Sequence, residues 1–215
     1  MNNAMYTDPS LKAELDVLRQ LESSNGRDTS PRKGQDSVGA YQLTPRALID
    51  AVQNNVMVPE TVKNMVGDYD KKTYGDKFAT EQVLHEWMKR NEVSVDAVAE
   101  KYYEQVVRPR ADNSAPAAIM MWQSPARTQQ DLKDLGLTSK DVGKDPTAMR
   151  RFFDYVQGGD SLDRAIRADR LSALMPILDH SKQVVPPEPN PAPGASSQAP
   201  PGMLQQFLRR HNMGY

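Results

Sequence analysis

In Thr44-Pro45, Ser124-Pro125 and Asp145-Pro146 a residue well suited to capping a helix stands directly before a proline. A Ser, Thr or Asp side chain can accept a hydrogen bond from the unpaired N–H groups of a first helical turn. Proline at the next position lacks only an N–H that would have no partner there anyway. Each pair therefore reads as a helix start, and apolar spacing continues from each. The expected helices are Pro45–Asn54 (Leu48, Ile49, Val52), Pro125–Leu135 (Leu132, Leu135) and Pro146–Gln157 (Met149, Phe152, Phe153, Val156). Leu11, Leu15, Leu18 and Leu21 form a further stripe behind Ser10, read as an N-cap. Phe78–Arg90 carries Val83, Leu84, Trp87 and Met88, and Ser94–Val107 carries Val95, Val98, Ala99, Tyr102, Tyr103 and Val106. Asp160–Leu178 continues the pattern with Leu162, Ile166, Leu171, Leu174 and Leu178. No segment alternates with a period of two, so the expected class is mainly α, with very little strand. Residues 25–41 are too polar and glycine-rich for a continuous helix and suit a loop or small irregular hairpin.

Composition narrows the function classes. The 215 residues hold 27 basic and 28 acidic side chains, which argues against a nucleic-acid partner, since phosphate binding needs a basic excess. There is no cysteine, so neither a disulfide framework nor a thiolate metal site is available. His85, His180 and His211 lie far apart and none belongs to a His-Glu-x-x-His pattern, so no metal is expected. The longest apolar run, Ala117 to Trp122, is too short for a transmembrane segment. Met1-Asn2-Asn3-Ala4 lacks the charged and apolar regions of a secretion signal. Mean hydropathy is −0.69, low for a single globule. After Lys182 the composition changes: Pro186 to Gly202 holds seven of the sixteen prolines and reads as an extended tether. Met203–Arg210 beyond it is an amphipathic helix candidate suited to docking.

The chemistry is concentrated near the start. Glu22 ends the leucine-striped helix, followed by Ser23, Ser24 and Asn25 and then by Ser37-Val38-Gly39-Ala40-Tyr41-Gln42-Leu43-Thr44-Pro45. Breaking a glycosidic bond near neutral pH needs a carboxylic acid kept protonated by an apolar, partly closed setting. Glu22 meets that requirement at the level of sequence. Ser23 and Ser24 can hydrogen-bond around the carboxyl. Gly39 lets a backbone approach a sugar, Gln42 offers an amide to hydroxyl and N-acetyl groups, and Tyr41 offers a flat face to a pyranose ring.

Glu22-Ser23 followed by Ser37 to Pro45 resembles the soluble lytic transglycosylase family, in which a Glu-Ser pair precedes a Gly-Leu-Met-Gln turn and a proline-started helix. The turn appears here as Gly39-Ala40-Tyr41-Gln42, and the family's Tyr-Asn-x-Gly as Tyr102-Tyr103-Glu104-Gln105. The resemblance covers about residues 8–110 and implies a lysozyme-like helical domain over 1–115. Glu22 would be the catalytic residue, and Ser23, Ser37, Gly39, Tyr41, Gln42, Tyr102 and Tyr103 would bind substrate, with Tyr102 or Tyr103 contacting Glu22 through its hydroxyl. The remaining expected parts are a helical extension over 116–182, a Pro-rich tether over 183–202 and a docking peptide over 203–215.

The family mechanism uses one carboxyl twice. Glu22 protonates the leaving oxygen, then as carboxylate takes the proton of the C6 hydroxyl, which closes onto C1 to give 1,6-anhydro-N-acetylmuramic acid. No cofactor is implied, and the substrate is the glycan strand of peptidoglycan. A hydrolytic muramidase remains the alternative enzyme, with Asp28 or Asp36 as a second carboxylate; an inactive lysozyme-like adaptor is the non-enzyme alternative. The lack of a secretion signal and the extra C-terminal parts lead to the expectation of a bacteriophage virion protein, placed in the tail or inside the particle. Residues 116–215 would then hold it to other virion proteins or to itself.

Overall fold

The computed structural model of the chain describes residues 9–23, 26, 36–158 and 172. The chain divides into two units, Met1–Lys182 and Gln183–Tyr215, and all the described residues belong to the first. Ser24, Asn25, Asp28, the tether, the docking peptide and all of the helix expected over Asp160–Leu178 except Ser172 lie outside the described residues.

Among the described residues the protein is mainly helical and contains no strand, only an isolated bridge between Val38 and Leu43. Helix α1 (Pro9–Ser23) buries Leu11, Leu15 and Leu18 and half-buries Leu21. It begins at Pro9, so Ser10 lies inside the first turn rather than at the cap. Helix α2 (Pro45–Gln53) starts as the Thr44-Pro45 pair requires, with the Thr44 hydroxyl accepting the Ala47 N–H at 3.2 Å. A short α3 (Glu60–Val66) follows Pro59 and buries Val62 and Val66. It is too brief for its periodicity to stand out in sequence.

Helix α4 (Tyr74–Arg90) begins four residues before the expected Phe78, because Thr73 supplies the cap. Its core face is Thr80, Leu84 and Met88, while Val83 is exposed. The expected single helix over Ser94–Val107 is α5 (Glu92–Tyr102), a wide π turn over Tyr103–Val107 and the short α6 (Arg108–Arg110). The π turn ends two residues before Pro109, which lacks an N–H and whose ring clashes with a carbonyl four residues earlier in a regular helix.

The apolar run Ala117–Trp122 belongs to α7 (Ala115–Gln123), in which Pro116 to Met121 are all buried. A helix apolar all round must be central, and α7 packs against α1, the π turn and both helices that follow. These are α8 (Pro125–Asp134) and α9 (Ser139–Lys144). Ser124 makes no side-chain capping bond to α8, so there the proline marks the start without the cap. Helix α10 (Pro146–Gln157) is capped by Asp145, which accepts the Thr147 N–H at 2.8 Å, and buries Phe152, Phe153 and Val156. One apolar cluster runs from Leu11 through Ile119 and Met120 to Val156. The boundary expected at 115/116 therefore does not separate two cores. No described helix is long and apolar enough to cross a membrane.

Candidate active site

The site is built where the end of α1 meets a tight turn. Val38 and Leu43 exchange backbone hydrogen bonds of 2.9 and 3.0 Å, closing the turn Gly39–Gln42. Ser23, on the last turn of α1, donates its hydroxyl to the Ala40 carbonyl at 2.6 Å and accepts the Gly26 N–H at 2.8 Å. From the other side Asp96 of α5 accepts the Ala40 N–H at 2.7 Å. Burial raises the Asp96 carboxyl above its usual value against the lowering effect of that bond. Gly39 has φ +83°, and a Cβ there would overlap the Asp96 carboxylate. The close approach that this glycine permits here is to Asp96.

Glu22 is 8% exposed and lies in the wall of a cavity of about 540 Å³ together with Asp36, Ser37 and Gln42. One stripe of α4 also lines this cavity: Tyr74, Phe78 and Glu81, four and three residues apart. Tyr74 and Phe78 are 87% and 56% exposed, so they are not core residues. Glu81 accepts the Tyr69 hydroxyl at 2.6 Å and pairs with Arg46 at 3.2 Å. Burial and the Glu81 charge push the Tyr69 hydroxyl up to about 12. Gln42 adopts φ +50°. Its amide is held on both sides: Oε1 accepts the Ser37 hydroxyl at 2.7 Å and Nε2 donates to the Gly39 carbonyl at 2.9 Å.

A second cavity of about 480 Å³ shares Gln42, Thr44, Arg46, Trp122 and Gln123 with the first, so the two adjoin. It contains Asp50, Tyr102 and Arg110. Tyr102 donates to Asp50 at 2.6 Å and Arg110 pairs with Asp50 at 2.7 Å. Burial pushes the Asp50 carboxyl up, but the bonds from Arg110 and Tyr102 outweigh it and hold it below its usual value. Burial and Asp50 together raise the Tyr102 hydroxyl.

The remaining aromatic expectations are corrected. Tyr41 is 4% exposed, lines neither cavity and donates to Glu100 at 2.9 Å. Burial and Glu100 raise its hydroxyl, so it offers no face to a sugar. Neither tyrosine of α5 and the π turn sends its hydroxyl proton to Glu22. Neighbours in a helix diverge by about 100°, so Tyr102 reaches Asp50 on α2 while Tyr103 donates to the buried Glu14 on α1 at 2.7 Å. Tyr103 is fully buried, which raises its hydroxyl first, with Glu14 adding to the effect. Between them stands Trp122, with ring centroids 6.0 and 5.9 Å from Tyr102 and Tyr103 and its indole N–H on the Tyr41 carbonyl at 3.1 Å.

Glu22, Ser37 and Gln42 therefore share one cavity, while Ser23 and Gly39 shape the turn beside it. Tyr74, Phe78, Glu81 and Trp122 are additional site residues. Exposed aromatics spaced off the core face of α4 were a readable signal; Trp122 was hidden inside an apolar run. Among the described residues no group of three His, Cys, Asp or Glu side chains is placed to hold a metal. No protein-family model, curated protein or solved structure matches the chain.

Proposed function

We propose that this chain is a peptidoglycan lytic transglycosylase that cleaves the bond between N-acetylmuramic acid and N-acetylglucosamine. The observation that carries the reading is the shared cavity, whose lining includes Glu22, the pre-set amide of Gln42 and the exposed aromatics Tyr74 and Phe78. Pyranose rings have an apolar face that packs on aromatic side chains and an edge of hydroxyl and amide groups that needs fixed polar partners. The Glu22 carboxyl protonates the glycosidic oxygen as the C1–O bond breaks and the electron pair passes to that oxygen. The resulting carboxylate then accepts the C6 hydroxyl proton while O6 bonds to C1, so the product is a 1,6-anhydro sugar and no water is consumed.

In this reading the protein belongs to a bacteriophage particle, opens the host wall locally during DNA entry, and is held by residues 116–215 to other virion proteins or to itself. The test is digestion of purified peptidoglycan with mass analysis of the muropeptides. Anhydro products that vanish in Glu22→Gln support the reading. Products one water heavier make the protein a muramidase, and a folded protein without products is an adaptor.

A further inference from the structure

We infer that the cavity around Arg110 is a carboxylate subsite, one that holds the acidic side branch of the muramic residue while the glycan strand lies along Glu22. The inference rests on the glycan-cleaving reading of the adjoining cavity. N-acetylmuramic acid carries a lactyl branch. Its carboxyl is free in bare strands; in peptide-bearing strands it is amide-linked to a peptide that has carboxylates of its own. A carboxylate carried on that branch is the chemistry the two share.

Three observations carry the inference. The two cavities adjoin through Gln42, Thr44, Arg46, Trp122 and Gln123, so a strand in one can send a branch into the other. In the second cavity the charged acceptors are taken while donors are left over. Asp50 is the one carboxylate among its described lining residues. Both oxygens are occupied: Oδ2 accepts from Tyr102 and Arg110, and Oδ1 from Arg110 and Asn54. Arg110 spends one N–H of each terminal amine on Asp50, and Arg46 spends its Nε on Glu81. A guanidinium has five N–H donors, so neither arginine is saturated. Both can be reached, with side chains 45% and 80% exposed. At the junction, the Gln123 side-chain oxygen is buried and accepts no hydrogen bond among the described residues. An amide N–H of an entering branch would supply the donor that such a buried acceptor needs.

A surplus of guanidinium donors selects for a carboxylate, whose two oxygens take paired N–H groups lying in one plane. A further neutral sugar would need acceptors as well as donors, and Asp50 is already fully engaged. The branch lies away from C1, so its contact is made equally in the ground state and the transition state. It lowers KM and leaves kcat alone.

The test compares steady-state kinetics of the full chain on soluble peptide-free and peptide-bearing glycan strands, each with its carboxyls native or blocked as methylamides. In the wild type, blocking is expected to raise KM about five- to tenfold with kcat within about twofold. In Arg110→Gln the native strands should bind as weakly as the blocked ones, so that blocking moves KM by less than about twofold. Arg110→Lys keeps a cation and should recover part of the difference. A carboxyl effect on peptide-free strands assigns the lactyl carboxylate, and one confined to peptide-bearing strands assigns the peptide; either supports the inference. A wild type indifferent to blocking on both kinds of strand overturns it. So does an Arg110→Gln enzyme whose KM responds to blocking as fully as the wild type's, since a merely structural role weakens native and blocked strands alike. If Arg110→Gln fails to fold, Arg46→Gln takes its place under the same criteria, its side chain being mostly in solvent. A wild type without turnover, or a fully active Glu22→Gln, overturns the parent reading instead, so the two failures are distinct.

Discussion

Ser23 donates its hydroxyl to the carbonyl of Ala40 across 2.6 Å, and that bond joins the end of the leucine-striped helix to the turn carrying Gln42. Glu22 is the adjacent residue, so its position relative to Gln42 depends on this link. Ser23→Ala leaves the Ala40 carbonyl without that partner in a buried position. A loss of about 1–2 kcal/mol in urea unfolding is expected, and, if the chain cleaves glycan strands as proposed, a larger proportional loss of turnover as Glu22 is released. Turnover unchanged in the folded variant would mean that the link does not position Glu22.

Gly39 and Gly136 both have positive φ, +83° and +63°, but only at Gly39 would a Cβ meet a neighbour, the Asp96 carboxylate. Gly136→Ala is expected to cost only the conformational penalty of about 1–2 kcal/mol. Gly39→Ala should cost roughly 1–3 kcal/mol more, because Asp96 must move away from the Ala40 N–H. Equal losses in urea titrations of the two variants would refute the packing argument.

The helix starts at Pro45, Pro125 and Pro146 were legible because proline geometry is local, as are the caps that Thr44 and Asp145 add at the first and last of them. The stripe on α1 and the apolar face Val95–Val106 were legible because burial follows helical spacing. What was not legible depended on where faces point after packing. Tyr41 reads as a sugar platform in sequence, yet Glu100 on α5 captures its hydroxyl. Tyr102 and Tyr103 read as alternatives for one role, yet they serve two different carboxylates, Asp50 and Glu14. Trp122 gave no signal because an aromatic ending an apolar run looks like core, and only its place between two cavities distinguishes it.

Tyr74 and Phe78 are exposed, so replacing either by alanine should leave thermal stability within about 0.5 kcal/mol of wild type. If they pack on pyranose rings, each contact is made equally in the ground state and the transition state. KM for glycan strands should then rise up to about tenfold per residue with kcat nearly unchanged. Steady-state kinetics on the two single variants and the double variant check this. A fall in kcat at constant KM would show instead that α4 acts on the reacting centre through these residues.

Asp50 links α2 to Tyr102 and Arg110, and its carboxyl titrates below its ordinary value of 3.8 in the folded protein. A carboxylate whose folded value is depressed binds fewer protons in the folded state than in the unfolded one around that pH. Its contribution to stability is therefore fully present above about pH 5 and is lost as pH falls through the folded value. The group is partly exposed, with 31% of its side chain accessible, so screening limits the contribution to about 1 kcal/mol. Asp50→Asn keeps an acceptor for Tyr102 but not the charge. The stability gap between wild type and Asp50→Asn should be about 1 kcal/mol near pH 7 and should shrink steadily below about pH 4. It should also narrow in about 1 M salt, where charges are screened over roughly 3 Å. Chemical denaturation of both proteins across pH and salt measures the gap directly. A gap independent of both would assign the role of Asp50 to shape and hydrogen bonding rather than to charge.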